Sequence, residues 1–280
     1  MKKVEWLKKF KAYEKVEIFI GRFKTVNKTL AKLLGISVAW VFLYDFILVK
    51  IPEWITGAST LGLIARNICF AFITGFIFYF INTHLANHKA KVKTYRYVAN
   101  KIASLNVLSS NLIHTVKATA NVSNANKNEE TLEEVVEWCK QIQASSFVGF
   151  RVFAYRIGFG SWYELFNYLD SETSKIVRDL LLVRDMLDSE SLRLITNIEN
   201  QVNMFMNISK GQPIGTDTNS LESSGLHIYE YRRMCKELQL HLRKEYKIHE
   251  NEYHYLERKE TRERREKQAS QQAQQQNIQS

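Results

Sequence analysis

The chain has 280 residues, 45% of them hydrophobic and 12% aromatic, which is enough apolar material for a sizeable core. Only 2 prolines and 11 glycines interrupt it, so its segments read as long helices and the expected fold class is all-α. The formal charge of +10 would suit a nucleic-acid binder, but its distribution argues against one. Residues 1–32 carry ten Lys/Arg against three Glu, residues 84–103 carry five Lys/Arg and no acid, and residues 104–280 net about −2. The positive charge flanks the hydrophobic segments, as the positive-inside rule requires of a membrane protein.

In chain order, residues 1–32 read as an amphipathic helix. Trp6, Phe10, Tyr13, Val16, Ile20 and Phe23 recur every three or four residues, with lysines on the other faces. That composition suits a helix lying at a membrane surface, with Trp6 at the interface and membrane lipids as partner.

Residues 33–83 read as a two-helix transmembrane hairpin. Leu33–Val49 is a run of 17 residues with one charge, Asp45, between Lys32 and Lys50. Extended to Ile51 it approaches the roughly 30 Å of a bilayer core. Ile68–Ile81 is uncharged and reaches spanning length when Thr60–Asn67 joins it, which brings Arg66 into the segment. A cleaved signal peptide is the poorer reading, because the basic leader is long and Gly57-Ala58-Ser59 is a poor cleavage site. Both basic flanks belong on the cytoplasmic side, giving a multi-pass protein with cytoplasmic termini and a short outer loop at about 51–60 that holds Trp54. Asp45 and Arg66 fall at similar depth on neighbouring helices, and an intramembrane ion pair between them is expected. Gly35 with Ala39, and Ala71 with Gly75, place small residues four apart and are candidate helix-packing positions.

After the hairpin, residues 84–209 read as a cytoplasmic helical bundle. Lys89, Lys91, Lys93 and Arg96 sit where headgroups would lie, and Val98, Ile102, Leu105, Leu108 and Leu112 then form an apolar stripe. An Asn/Ser-rich break at 120–128 precedes a capping box at Thr131–Glu134. Gly158-Phe-Gly160 separates this region from a helical pattern over Trp162–Leu187, and Ser189 is the expected cap of the next helix. Residues 210–225 read as a loop, 226–267 as one long charged helix, and 268–280 as a disordered Gln-rich tail. Ile228, Tyr231, Cys235, Leu238 and Leu242 form a coiled-coil-like seam, continued after a slip by Tyr246, His249, Tyr253 and Leu256.

Chemistry-bearing motifs are few. His249 and His254 are five apart, one residue too many for the HExxH zinc helix, and His241, Glu245 and His249 read as a solvated face. His84 and His88 share a face among lysines. Arg151, Tyr155 and Arg156 would suit nucleic acid or lipid headgroups, but the surrounding aromatics favour buried structure or docking near the membrane. Cys69, Cys139 and Cys235 are widely spaced and form no CxxC pair. No nucleophile–base pair, cofactor loop or metal-ligand set emerges, so neither an enzyme nor a small-molecule substrate is expected. Thr56–Gly62 is too short for a potassium-type filter and lacks its pattern.

The stretch Tyr44-Asp-Phe-Ile-Leu-Val-Lys-Ile-Pro-Glu53, with Gly62 and then Phe76-Ile-Phe-Tyr-Phe-Ile-Asn82, resembles a recurrent type of uncharacterised bacterial two-span membrane protein. The resemblance covers the membrane hairpin. It implies a bacterial inner-membrane location and no activity. The function expected from these features is a membrane-anchored interaction or scaffold protein, whose partner is a second copy or a cytoplasmic protein. The alternative is an oligomeric pore gated by the helical domain.

Overall fold

The computed structural model describes residues 16–50, 57–122, 130–152, 155–210 and 220–279. Trp6, Phe10, Tyr13 and Trp54 lie outside these residues. The described chain is mostly helical, in keeping with an all-α protein, with one short β-hairpin. It divides into two compact units, residues 1–93 with 248–280, and residues 94–247.

In the first unit the described part of α1 covers residues 16–24. The chain then turns instead of running on as one helix to residue 32. Asn27 is the reason, because its side chain accepts the Thr29 N–H at 2.8 Å and starts α2 (Lys28–Phe46). A single 3₁₀ turn follows at Leu48–Lys50. α3 (Ala58–Tyr79) starts after Gly57, whose φ of 92° lies in the left-handed region that glycine adopts without strain. α2 and α3 are each part of a helix long and apolar enough to cross a membrane, Lys28–Lys50 and Ala58–Thr119. Their large apolar side chains face outward, Ile36 at 65% and Phe78 at 71% exposure. The two helices meet where Gly62 lies beneath the Tyr44 ring, which occupies the space a Cβ would need, and the Tyr44 hydroxyl donates to the Ser59 carbonyl at 3.1 Å.

A π-turn at Phe80–His84 connects α3 to α4 (Leu85–Thr119), whose residues up to Lys93 belong to this unit. The last helix, α9 (Lys247–Gln279), completes it. One helix over 226–267 was expected, but the chain breaks at Tyr246 and α9 then runs on to Gln279, through the stretch expected to be disordered. Residues 247–279 contain neither Gly nor Pro and are rich in Glu, Arg and Gln, all good helix formers.

The second unit is built on the apolar face of α4, where Ile102, Leu105, Leu112 and Val116 are fully or almost fully buried. α5 (Leu132–Lys140) opens on the Thr131–Glu134 capping box, with the Thr131 hydroxyl accepting the Glu134 N–H and the Glu134 carboxylate accepting the Thr131 N–H. α6 (Trp162–Leu181), α7 (Ser189–Lys210) and α8 (Glu222–Glu245) complete the bundle, α7 packing on both α6 and α8, and α5 on α8. The cap of α7 is Asp188 and not Ser189: Asp188 Oδ1 accepts the Ser191 N–H at 3.0 Å. The seam residues Ile228, Tyr231, Cys235, Leu238 and Leu242 are buried within this bundle. Inside it the Thr173 and Tyr231 hydroxyls bond at 2.8 Å, which satisfies both buried groups.

Between α5 and α6 the chain forms an antiparallel hairpin, β1 (Val148–Val152) with β2 (Tyr155–Phe159). Val148 and Phe150 are buried while Gly149 and Arg151 lie on the opposite face, the period-two alternation of a half-buried strand. Burial therefore applies to one face of this stretch only. Gly225 of α8 approaches α5 so closely that a Cβ there would lie 2.9 Å from the Val136 Cα. Gly225→Ala gains about 1 kcal/mol of helix propensity, but forcing the backbones apart costs about 1–3 kcal/mol. The expected outcome is a lower melting temperature by circular dichroism, despite the better helix former.

Candidate functional site

The densest set of interacting polar side chains among the described residues lies in the first unit, around Glu252. This residue is 4% exposed on the first turns of α9. The Arg22 guanidinium, at the end of α1, grips it from one side: Nη2 donates to Oε1 at 2.5 Å and Nε donates to the same oxygen at 3.1 Å. From the other side His88 of α4 donates through Nε2 to Oε2 at 2.8 Å. The acceptor is a carboxylate, so the proton on that bond belongs to the imidazole.

A second layer orients these groups. Thr25, in the turn after α1, donates its hydroxyl proton to the Arg22 carbonyl at 2.7 Å. Its oxygen stands 3.1 Å from His84 Nε2 and 3.2 Å from His88 Nδ1. His84 Nε2 donates to the Arg22 carbonyl at 3.0 Å, and its ring stacks on Phe80 with centroids 5.4 Å apart. The π-turn adds a residue to the helical turn here, its closing bond running from the Leu85 N–H to the Phe80 carbonyl. His249, one turn before Glu252, stacks on His88 at 4.6 Å. Phe19 and Phe23 of α1 meet Phe76 and Phe80 with centroids about 6 Å apart, which holds α1 against the end of α3.

The electrostatics follow from this packing. Burial alone would push the Glu252 carboxyl up, but the hydrogen bonds from His88 and Arg22 outweigh it and hold it down at about 2. Burial pushes His249 down to about 4, helped by His88 and Lys91 nearby. In the second unit a parallel case joins α8 to the start of α7. Asp188 is also held at about 2, burial being outweighed by the bonds from Ser191 and from His241 at 2.9 Å. His241 is thus committed to Asp188, and the helix break at Tyr246 interrupts the face it was expected to share with His249. No group of three or more His, Cys, Asp or Glu side chains able to hold a metal ion occurs among the described residues.

The sequence-derived candidates fall as follows. Arg66 Nε donates to Asp45 Oδ1 at 2.6 Å, Nη2 reaches Oδ2 at 3.3 Å, and the guanidinium also lies 4.8 Å over the Phe70 ring. A Cβ added at Gly35 or Gly75 would meet nothing within 4 Å, whereas one at Gly62 would run into the Tyr44 ring. Lys89, Lys93 and Arg96 are exposed, and Lys91 is half-buried. Arg151, Tyr155 and Arg156 are exposed on the β-hairpin. Cys139 and Cys235 are buried, and burial pushes both thiols up to about 12.

Sequence reasoning missed the Glu252 cluster. His84 and His88 read as surface residues and Glu252 as one more acid on a charged helix. The available signal was the slip at Tyr246, after which the buried positions are Tyr246, His249 and Glu252 and not Tyr253. No family model, no curated protein and no solved structure matches this chain.

Two outcomes are expected. A histidine with a depressed folded value contributes stability that is full above its unfolded value and is lost as pH falls towards the folded one. His249 therefore weakens the α9 docking between about pH 6.5 and 4, and Glu252 continues the loss from about 4.5 to 2. Hydrogen exchange of residues 248–256 against pH should show protection falling from about pH 6 downward, and His249→Gln should flatten the upper part of that profile. For the ion pair, Arg66→Gln should lower the melting temperature of the purified chain. The double variant with Asp45→Asn should recover part of the loss, because it also removes the carboxylate left without its partner.

Proposed function

We propose that this chain is a membrane-anchored interaction or scaffold protein. Its two apolar helices span the inner membrane as a hairpin, both termini are cytoplasmic, and the helical bundle is presented on the cytoplasmic side. The observation that carries this reading is the bare apolar surface of α2 and α3, of whose most hydrophobic windows only 6% is buried within the chain. A core helix of a soluble protein would be mostly covered by its own fold, whereas these need lipid or other helices around them. The charge distribution supports the direction, since residues 1–32 and 84–103 carry the basic excess and the connection carries none.

The mutual pairing of Asp45 and Arg66 favours an anchor over a pore. Each neutralises the other within one chain, which suits a lipid-surrounded hairpin and leaves no ring of like charge to line a lumen. Interfacial lipids are the proposed partners of Lys89, Lys93 and Arg96.

Cysteine scanning tests this arrangement. The background is kept low by starting from Cys69→Ser, since Cys69 is half-buried while Cys139 and Cys235 are buried with raised pKa values. In intact spheroplasts, a cysteine placed at position 54 should react with a membrane-impermeant maleimide. Cysteines at 125 and 275 should react only after permeabilisation. Reaction at all three sites without permeabilisation, or release of the chain by alkaline carbonate, would overturn the two-span anchor. Steady single-channel conductance of the purified protein in planar bilayers would replace the scaffold reading with the pore.

A further inference from the structure

The β-hairpin of the second unit has two outer edges in unlike surroundings. Its ladder closes on Val152 and Tyr155 around a two-residue turn, so the hydrogen-bonded pairs are Val152–Tyr155, Phe150–Ile157 and Val148–Phe159. In the pairs between them, Arg151–Arg156 and Gly149–Gly158, the peptide groups point away from the hairpin on both sides. On the β1 edge the outward Arg151 carbonyl accepts a bond from Asn111 Nδ2 of α4 at 2.8 Å. On the β2 edge Tyr155, Arg156, Ile157 and Gly158 are all exposed, Tyr155 at 76% and Ile157 at 40%. The N–H and C=O groups of Arg156 and Gly158 thus face outward along an exposed strand.

Such an edge is a template for another strand, and proteins guard it with charges, prolines or bulges. β2 contains no proline and no bulge, since its five residues pair one for one with β1. Its one charge, Arg156, is turned away from the edge. A Cβ on Gly149 would lie 2.7 Å from Arg156 Nε and 3.2 Å from its Cζ, so the guanidinium crosses back over β1. Phe147 leans the other way: a Cβ on Gly158 would lie 2.6 Å from its Cζ. That ring lies over the face of the sheet at Gly158, while Gly158 itself stays exposed.

We infer that β2 pairs with β2 of a second copy of this chain, antiparallel and centred on Ile157, so that two hairpins form one four-stranded sheet. Charge placement and hydrogen-bond direction select this register. With the twofold axis at Ile157, Arg156 stands opposite the second copy's Gly158, and no arginine faces another across the new interface. These are also the residues whose peptide groups point outward, so each Arg156–Gly158 pair exchanges two backbone bonds. An axis at Arg156 would oppose the two arginines. An axis at Gly158 would need the Gly160 N–H, which already donates to Glu164 Oε2 at 2.8 Å. Centred on Ile157, the two isoleucines meet at a non-hydrogen-bonded position, where side chains approach most closely, and Tyr155 stands opposite Phe159. Four strands also replace a two-stranded ribbon, which is marginal by itself. The pairing gives the interaction reading above its partner and rests on that part of it alone, whatever the span topology.

The test uses the full chain in detergent micelles, in a Cys69→Ser background. Ile157→Cys should form a disulfide-linked dimer on mild oxidation, because Cα atoms of a non-hydrogen-bonded pair lie about 4.5 Å apart, within disulfide reach. Arg156→Cys should not, because the two copies of position 156 lie diagonally, beyond the reach of about 7 Å. Two further variants are followed by analytical ultracentrifugation. Ile157→Lys sets like charges at the axis, and Arg156→Pro removes an outward N–H that β1 does not use. Each should raise the dimer dissociation constant about tenfold or more, with little change in the melting curve by circular dichroism. Crosslinking at position 157 and not at 156, with weaker dimers in both other variants, supports the pairing. A monomer at every concentration, equal crosslinking at both positions, or a dimer that survives both variants overturns it. None of these results alters the maleimide pattern that tests the membrane anchor.

Discussion

A carboxylate at 4% exposure cannot remain charged in a protein interior without partners, and Glu252 has two. Removing such a group from water costs several kcal/mol, which only well-aligned donors offset. Arg22 and His88 provide that alignment from positions 230 and 164 residues away in sequence. Much of the local architecture follows from this requirement. The turn at Thr25 brings Arg22 and its carbonyl to the imidazoles, and the π-turn at Phe80–His84 ends on His84 and leads into the α4 turn that carries His88. The break at Tyr246 allows α9 to start afresh with His249 and Glu252 inward. The cluster therefore ties the first helix, the exit of the second apolar helix and the last helix to one buried charge.

The two units solve the burial problem in opposite ways. In the second, the helices cover their apolar stripes with one another, and Thr173 with Tyr231 and Asp188 with His241 pair polar groups between helices. In the first, α2 and α3 leave most of their apolar surface uncovered, and Gly62 admits the Tyr44 ring where they meet. Those bare Leu, Ile and Phe side chains are the surface that the proposed membrane hairpin would turn to lipid. The paired Asp45 and Arg66 lower the cost of placing ionisable groups there.

Much of the secondary structure was legible from local pattern. The Thr131–Glu134 capping box, the stripe from Val98 to Leu112 and the seam from Ile228 to Leu242 are short-range signals, and each falls where its periodicity says. The β-hairpin was not read, because aromatic residues and arginines in FVGFRV and YRIGF mask a two-residue alternation only five residues long. The continuation of α9 to Gln279 was missed for a different reason. Glutamine-rich composition suggests disorder, yet the same residues are good helix formers when the helix is already nucleated upstream.

What the sequence by itself determined is the helical class, the two apolar segments with their basic flanks, and the opposition of Asp45 and Arg66, since these depend on periodicity, length and charge order along the chain. The tertiary structure alone decided which polar residues are buried and with whom. Nothing local distinguishes Glu252 from the exposed acids around it, or Arg156 from any other surface arginine. Their environment is set by partners more than a hundred residues away in one case, and by a cross-strand neighbour and a glycine in the other. Burial and pairing are properties of the fold, because they arise from long-range contacts that no window of sequence contains.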